Sequence, residues 1–231
     1  MNKRWHIWRD EDRPPSVNMA VDELLLENAE FLQGRILLRI YGWDRPSISI
    51  GYSQKYSAVS GEGKYYIVRR PTGGGIVYHD RDLTYTVVVP ANHPIERLDR
   101  VESYHVFHRA VLRAMLAFGK QGKLADSAVP VSDRATMKCF VTPTKYDVIC
   151  ENRKMAGAAQ RRTKNGILHQ GSISSEVSGG DKNKLSEELI RGFATEFNIE
   201  FEDFIVPVFF AAGVENLSSA KFATNEWNKS K

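Results

Sequence analysis

Apolar residues recur along this chain at two alternating kinds of spacing. An apolar side chain at every third or fourth position predicts amphipathic helices over 18–32, 101–118 and 185–197. Between them lie runs of Val, Ile, Thr and Tyr, which are typical of strands. The predicted strands are 36–41, 47–52, 83–89, 146–149, 155–162 and 167–172. Runs of strands interrupted by single helices predict an α+β domain, with a mixed β-sheet flanked by helices.

Turn-forming residues mark the ends of several of these elements. Asn165-Gly166, between two predicted strands, is a strong hairpin signal, and Asp181 can cap the third helix. Segments 119–137 and 175–183 lack periodicity and are predicted to be loops. The tail over 217–231 is predicted to be a short helix with a frayed polar end.

Length and composition place these elements in one soluble domain. The chain has 231 residues, of which 42% are hydrophobic and 26% charged, so a single domain over 1–231 with a normal core is expected. No apolar run is long enough to cross a bilayer, so no membrane association is expected. The start of the chain lacks the apolar stretch of a secretory signal, and two cysteines do not make a disulfide scaffold. A cytoplasmic protein is therefore expected.

The net charge of +4 permits two classes of partner. A small positive excess suits either nucleic acid or acidic proteins. A nucleic-acid-binding module would show steep salt dependence of binding. That alternative leaves the two segments described next without a role, so no nucleic acid partner is expected.

A glycine run preceded by two arginines is the first candidate for chemistry. Gly73, Gly74 and Gly75 leave the backbone bare, so a ligand can lie against it and an anion can meet its N–H groups. Arg69 and Arg70 would add bidentate donors. The alternative is a plain turn with two solvated arginines.

A lysine among small residues is the second candidate. Lys154 is followed closely by Ala156, Gly157 and Ala158, so its charge would be partly removed from water. A buried lysine needs an anionic partner, such as a carboxylate, an acyl phosphate or a tetrahedral oxyanion. The alternative is an exposed lysine on an edge strand.

The cysteines and histidines divide into candidates and structural residues. Cys139 lies in a predicted loop beside Lys138, which would favour its thiolate, so it can be either a nucleophile or an inert thiol. Cys150 is in phase with a predicted strand and is expected to be an inert core residue. His79 and His169 could line one pocket. His105 and His108, on one predicted helix, are expected on its surface, with no metal site.

Together these segments resemble the lipoate–protein ligase A and octanoyltransferase family. Residues 69–80 with 83–86 are similar to its RRxxGGGxVxHD…LTY signature, and 152–160 to its GRKxxGxAQ segment. Residues 16–23 resemble its N-terminal NMALDE helix, and 222–228 its C-terminal helix. The resemblance covers nearly the whole chain. It implies the fold of the biotin/lipoate protein ligase catalytic domain and an eight-carbon acyl tunnel.

One branch of the family is closer than the others. Cys139-Phe140 before Pro143 and Tyr146 resembles the CF…P…Y loop of the Gram-positive-type octanoyltransferases, in which the cysteine accepts the acyl group. The resemblance therefore implies Cys139 and Lys154 as catalytic residues. The implied substrate-binding residues are Arg69, Arg70, Gly73, Gly74, Gly75, His79, Gly157, Ala158 and His169. In the last strand, the family usually has His directly before the Gly, whereas this chain has Gln170 there and His169 one place earlier.

The implied activity is octanoyl transfer from octanoyl–acyl carrier protein to a lysine of an apo lipoyl domain. Glycine cleavage H protein and the acyltransferase subunits of dehydrogenase complexes are acceptors of this kind, and the transfer needs no cofactor. The alternatives are an ATP- and Mg²⁺-dependent lipoate or octanoate ligase, an octanoyl amidotransferase between lipoyl-type proteins, and an inactive homologue acting as a sensor. A biotin ligase is disfavoured because its GRGRxGR loop is absent.

Overall fold

Two β-sheets of unequal size form the centre of the fold. The computed structural model describes residues 3–127 and 143–231. In chain order the strands are β1 (Arg4–Arg13), β2 (Leu37–Trp43), β3 (Ser47–Ile50), β4 (Tyr66–Arg69), β5 (Val77–His79), β6 (Asp82–Pro90), β7 (Gly122–Leu124), β8 (Val148–Cys150), β9 (Arg153–Thr163), β10 (Gly166–Ser174) and β11 (Glu200–Asp203). The large sheet has the spatial order β11-β1-β2-β6-β10-β9-β8-β7, and the small sheet has the order β4-β3-β5. Both sheets mix parallel and antiparallel pairs.

Helices cover both faces of the large sheet. They are α1 (Pro15–Glu27), α2 (Arg100–Leu116), α3 (Lys182–Phe197), α4 (Phe210–Leu217) and α5 (Asn225–Asn228). The central strands are buried on both sides, so neighbouring strand residues enter different cores. Leu38 packs into the core formed with α2 and α3, whereas Leu37 packs into the core formed with α1 and α4. The expectation of an α+β fold with a mixed sheet flanked by helices is confirmed.

The helix cap and the hairpin turn predicted from the sequence are both present in the structure. The Asp181 side chain accepts a hydrogen bond from the Lys184 N–H at the start of α3, as expected of a cap. The predicted hairpin joins β9 and β10, and Gly166 adopts a φ of +132°, which favours glycine. A β-carbon there would lie 2.0 Å from the Val89 carbonyl oxygen.

Two predictions of local structure were wrong. Residues 122–124 form β7 within the segment predicted as a loop, because three residues are too few to show a period; residues 128–137 of that segment lie outside the described part of the chain. The predicted loop over 175–183 begins with a 3₁₀ turn and ends inside α3. The short helix predicted in the tail is present as α5, preceded by a π-helical stretch, Ser218–Phe222.

Some elements carry too weak a signal to be predicted. Only the first half of β1 alternates buried and exposed residues, and its second half is polar. The edge strand β11 has four residues, three of them acidic. No helix within 3–127 and 143–231 has both the length and the apolar character needed to cross a membrane.

Candidate active site

A small cavity of about 40 Å³ is lined by residues of both sheets. Five residues that the sequence singled out lie in its wall: Arg70, Gly74, His79, Gly157 and Ala158. The volume holds only a few water molecules, so an acyl chain can enter only if side chains of the wall move. Cys139 lies outside the described residues.

Arg70 shapes the glycine loop from inside. Its guanidinium donates to the carbonyl oxygens of Gly73 at 2.6 Å, Gly75 at 2.7 Å and Ser49 at 3.0 Å. Gly74 adopts a φ of +85°, and a β-carbon there would lie 2.9 Å from Arg70 Nη2. Glycine at position 74 is therefore required both by the backbone conformation and by the approach of the arginine.

Arg69 turns the opposite way and contacts the end of the chain. Its guanidinium donates to main-chain carbonyl oxygens on both sides, including Gln54 at 2.7 Å, Asn228 at 3.0 Å and Trp227 at 3.1 Å. The Asn228 side chain in turn accepts from the Arg69 backbone N–H at 2.7 Å. Burial lowers the pKa of Arg69. Arg69 does not line the cavity, so its described contacts are structural.

Lys154 is buried in an ion pair. Its Nζ lies 2.7 Å from Oδ2 of Asp147, and the two side chains are 3% and 1% exposed. The Tyr104 hydroxyl donates to the other carboxylate oxygen at 2.6 Å and accepts from the Ala158 N–H at 2.8 Å. The hydroxyl of Tyr104 therefore connects the ion pair to a residue of the cavity wall.

The space above Gly157 is filled by this lysine. Met155 is an extra residue in the pairing of β9 with β8, since Lys154 pairs with Ile149 and Ala156 pairs with Val148. Such a bulge reverses the alternation of side chains, so Lys154 faces the same side as Gly157. A β-carbon on Gly157 would lie 2.6 Å from Lys154 Nζ.

His79 belongs to a chain of buried hydrogen bonds. Its Nε2 lies 2.8 Å from Ser49 Oγ, and its Nδ1 lies 2.8 Å from Asp82 Oδ2. Trp43 stacks on the imidazole, with ring centroids 3.9 Å apart. Burial alone would raise the pKa of Asp82, but His79 and the hydroxyls of Ser172 and Thr84 lower it below its usual value.

No sequence pattern clearly predicts the pairing of His79 with Asp82. The acid next to the histidine in sequence is Asp80, but Asp80 is exposed and accepts from Tyr65 instead. Asp82, three residues after His79, begins the next strand and faces the ring. The spacing of an acid three positions from His79 is the only signal that could have found it.

A comparison with family profiles identifies the family of this chain. The profile of the lipoyl protein ligase A/B catalytic domain matches residues 14–221. The chain belongs to that family. The resemblance seen in the sequence is thereby confirmed.

Relatives within the lipoyl protein ligase A/B family span almost the whole chain. Octanoyltransferase LipM of Geobacillus kaustophilus is 31% identical, covering 96% of this chain and 98% of the relative. Octanoyltransferase LipM of Bacillus cereus is 30% identical, with 99% of each covered. Among solved structures, lipoate-protein ligase A bound with ATP superposes with a TM-score of 0.78 at 22% identity, covering 99% of each chain. That likeness shows the shared fold.

The structure explains the position of Gln170, which stands where the family usually has His before the glycine of the last strand. Gln170, not His169, lines the cavity, because neighbouring strand residues face opposite sides. Gln170 accepts from Thr72 at 2.6 Å and donates to Asp22 at 2.7 Å, and so connects the glycine loop to α1. His169 lies in the core beside Phe107, where burial lowers its pKa well below the usual value.

The other histidine and cysteine predictions had mixed outcomes. The surface position expected for His108 was wrong: His108 is fully buried, and its Nδ1 lies 2.8 Å from the Tyr146 carbonyl oxygen. The core position of Cys150 is confirmed, with burial raising the pKa of its thiol. Within 3–127 and 143–231, no cluster of three or more His, Cys, Asp or Glu side chains could hold a metal ion.

Proposed function

We propose that this protein is an octanoyltransferase of protein lipoylation. It takes the octanoyl group from octanoyl–acyl carrier protein and transfers it to a lysine of an apo lipoyl domain. The observation that carries the proposal is the buried Lys154, which does not itself line the cavity but whose Nζ lies against Gly157, a residue of the cavity wall. The full-length similarity to LipM octanoyltransferases supports the same activity.

The first step forms an acyl-enzyme on Cys139. Its thiolate attacks the thioester carbonyl, a new C–S bond forms, the C–S bond to the carrier protein breaks, and the carrier leaves as a thiolate. Charge builds on the carbonyl oxygen during the attack. Lys154 donates to this oxygen, as do backbone N–H groups near Gly73 to Gly75.

The second step forms the amide. The amine of the acceptor lysine attacks the Cys139 thioester, the C–N bond forms, and the C–S bond breaks. The proton released by the amine balances the thiolate that leaves. Gly157 and Ala158 form part of the wall for the acyl group, together with His79 and Arg70.

The proposed route requires neither nucleotide nor metal. A lipoate ligase would need ATP and Mg²⁺, and the two arginines of the glycine segment were candidates for binding its phosphates. Both guanidiniums donate to main-chain carbonyl oxygens instead. This arrangement favours transfer, and the fold shared with an ATP-bound ligase makes ligation the alternative that an experiment should test.

The deciding experiment measures acylation of an apo lipoyl domain by intact mass in two mixtures. The first contains octanoyl–acyl carrier protein without nucleotide, and the second contains free octanoate or lipoate with ATP and Mg²⁺. We expect product in the first mixture only. We also expect that Cys139→Ala abolishes it and that Cys150→Ala, a matched change at a buried core thiol, retains it. Product in the second mixture only, independent of Cys139, would make the protein a ligase.

A further inference from the structure

The pairing of Lys154 with Asp147 needs an explanation beyond stability. Removing both charges from water costs several kcal/mol per ion, and a buried ion pair is often no more stabilising than an apolar pair of the same size. Their side chains are nevertheless 3% and 1% exposed. A pair kept under these conditions is a candidate for a functional role.

Asp147 is held by groups from several parts of the chain. Besides Lys154, its carboxylate accepts from the Thr144 backbone N–H at 2.6 Å, the Thr144 hydroxyl at 2.9 Å and the Tyr104 hydroxyl at 2.6 Å. Four donors fix both oxygens, so the carboxylate cannot rotate freely. The Nζ atom of Lys154 is consequently held above Gly157.

We propose that Asp147 is a positioning residue that keeps Lys154 protonated and aimed at the acyl carbonyl, and that Tyr104 holds Asp147 in place. This proposal rests on the proposed octanoyl transfer, because it assigns no reaction of its own. Lys154 can stabilise an oxyanion only while it carries its proton, and an adjacent carboxylate favours the charged form. Asp147 thus acts on the reaction through Lys154.

Tyr104 couples the pair to the cavity. The same hydroxyl that donates to Asp147 accepts from the N–H of Ala158, whose carbonyl oxygen lies 3.1 Å away. Ala158 lines the cavity. One hydroxyl group therefore connects the ion pair to the backbone of the cavity wall.

Two of the titratable groups near the pair, His108 and Tyr85, stay neutral over the working range. Among the described residues, Tyr104 and His108 of α2 and Tyr85 of β6 face Asp147 and Lys154. Burial lowers the pKa of His108 to about 4 and raises that of Tyr85 far above its usual value. Neither of these two groups gains or loses charge between pH 6 and 10. Deprotonation of the Cys139 thiol raises the rate from the acid side, whereas loss of the Lys154 proton lowers it on the alkaline side, so a shift of the alkaline limit reports on Lys154.

The test is the substitution Asp147→Asn, which keeps the shape and removes the charge. Formation of the acyl-enzyme from octanoyl–acyl carrier protein is followed by intact mass from about pH 6 to 10. We expect kcat of this step to fall by about tenfold or more, with little change in KM. We also expect the loss of rate at alkaline pH to begin about one pH unit lower or more, because Lys154 releases its proton more easily.

A second variant and a control make the outcome clear even if Asp147→Asn folds poorly. Tyr104→Phe should move kcat and the alkaline limit in the same direction by a smaller amount. Glu176→Gln removes the exposed partner of Arg153, the residue before Lys154, and should change neither. A wild-type protein that forms no acyl-enzyme contradicts the proposed function. A wild type that reacts normally, with both Asp147→Asn and Tyr104→Phe retaining its kcat and alkaline limit, overturns the positioning role alone.

Discussion

Gly157 is a glycine because Lys154 and Asp147 occupy the space where its side chain would begin. A β-carbon there would lie 2.5 Å from Lys154 Cε and 3.1 Å from Asp147 Oδ1. Contacts this short force a neighbour to move. Since Asp147 is fixed by its four donors, the lysine is the group that must give way.

Gly157→Ala should therefore reduce octanoyl transfer by displacing Lys154 Nζ. We expect kcat to fall about tenfold or more, as for the loss of an oxyanion donor, and the free energy of unfolding to fall by about 1–3 kcal/mol from overpacking. Transfer assays and urea unfolding measure the two effects. Gly61→Ala is the matched control, because its β-carbon would meet nothing within 4 Å. A Gly157→Ala enzyme with the wild-type rate would show that Lys154 need not stay where the structure has it.

The two adjacent arginines show how far single residues can be interpreted from sequence. Their sequence context predicts two donors to an anion at the glycine run, and in the structure Arg70 donates to carbonyl oxygens of that loop. The neighbouring Arg69 contacts Trp227 and Asn228, residues about 160 positions away, which no local pattern reveals. In the same way, the alternation along β10 explains why Gln170 rather than His169 reaches the cavity.

Among the elements, α2 contributes the most to the neighbourhood of the ion pair. Tyr104 and His108 lie one turn apart on it, with ring centroids 4.1 Å apart, and both contact the segment that carries Asp147. The apolar period of α2 predicted the helix well. It did not predict that His108 would be buried or that Tyr104 would bind Asp147, because their partners, Asp147 and the Tyr146 carbonyl oxygen, come from a turn far along the chain.

Burial of neutral His108 makes the stability of the protein depend on pH. The folded state holds the pKa of His108 near 4, below its ordinary value of 6.5. As the pH falls below about 6.5, the unfolded chain takes up a proton that the folded chain does not, so the free energy of unfolding falls. The loss from this histidine should reach about 3 kcal/mol near pH 4 and then level off.

Urea unfolding between pH 7 and 4 measures this effect. His108→Asn retains an N–H donor for the Tyr146 carbonyl oxygen and should remove the part of the fall in stability that His108 contributes, whereas the buried His169 keeps its own part. His105→Asn, one turn earlier on α2 at a partly exposed position, should remove less. Equal pH dependence in the wild type and His108→Asn would mean that His108 is already protonated in the folded state, contrary to its buried environment.

At the scale of the whole molecule, the glycine loop is fastened to the C-terminal end of the chain. Arg69 donates to carbonyl oxygens of the loop after β3 and of the residues in and after α5, and Trp227 Nε1 donates to the Arg69 carbonyl oxygen at 2.8 Å. Sequence patterns predicted the sheet and its two helical layers, because those follow from local periodicity. The contacts of Arg69 with the chain end join segments that are distant in sequence, so local patterns cannot predict them and only the folded structure shows them.

Arg69→Lys should destabilise the protein, because it removes the contacts of the Arg69 guanidinium with the C-terminal residues. Lysine keeps the charge but offers three donors from a single nitrogen, which cannot reach carbonyl oxygens on both sides, and each carbonyl left buried without a partner costs about 1–3 kcal/mol. A loss of about 3 kcal/mol should lower Tm by about 6–12 °C in a protein of this size. Arg45→Lys, at an exposed arginine paired with its neighbour Asp44, is the control and should leave Tm nearly unchanged. If Arg69→Lys instead preserves Tm and raises the KM for the octanoyl donor, then Arg69 binds substrate, and its contacts with the chain end are incidental.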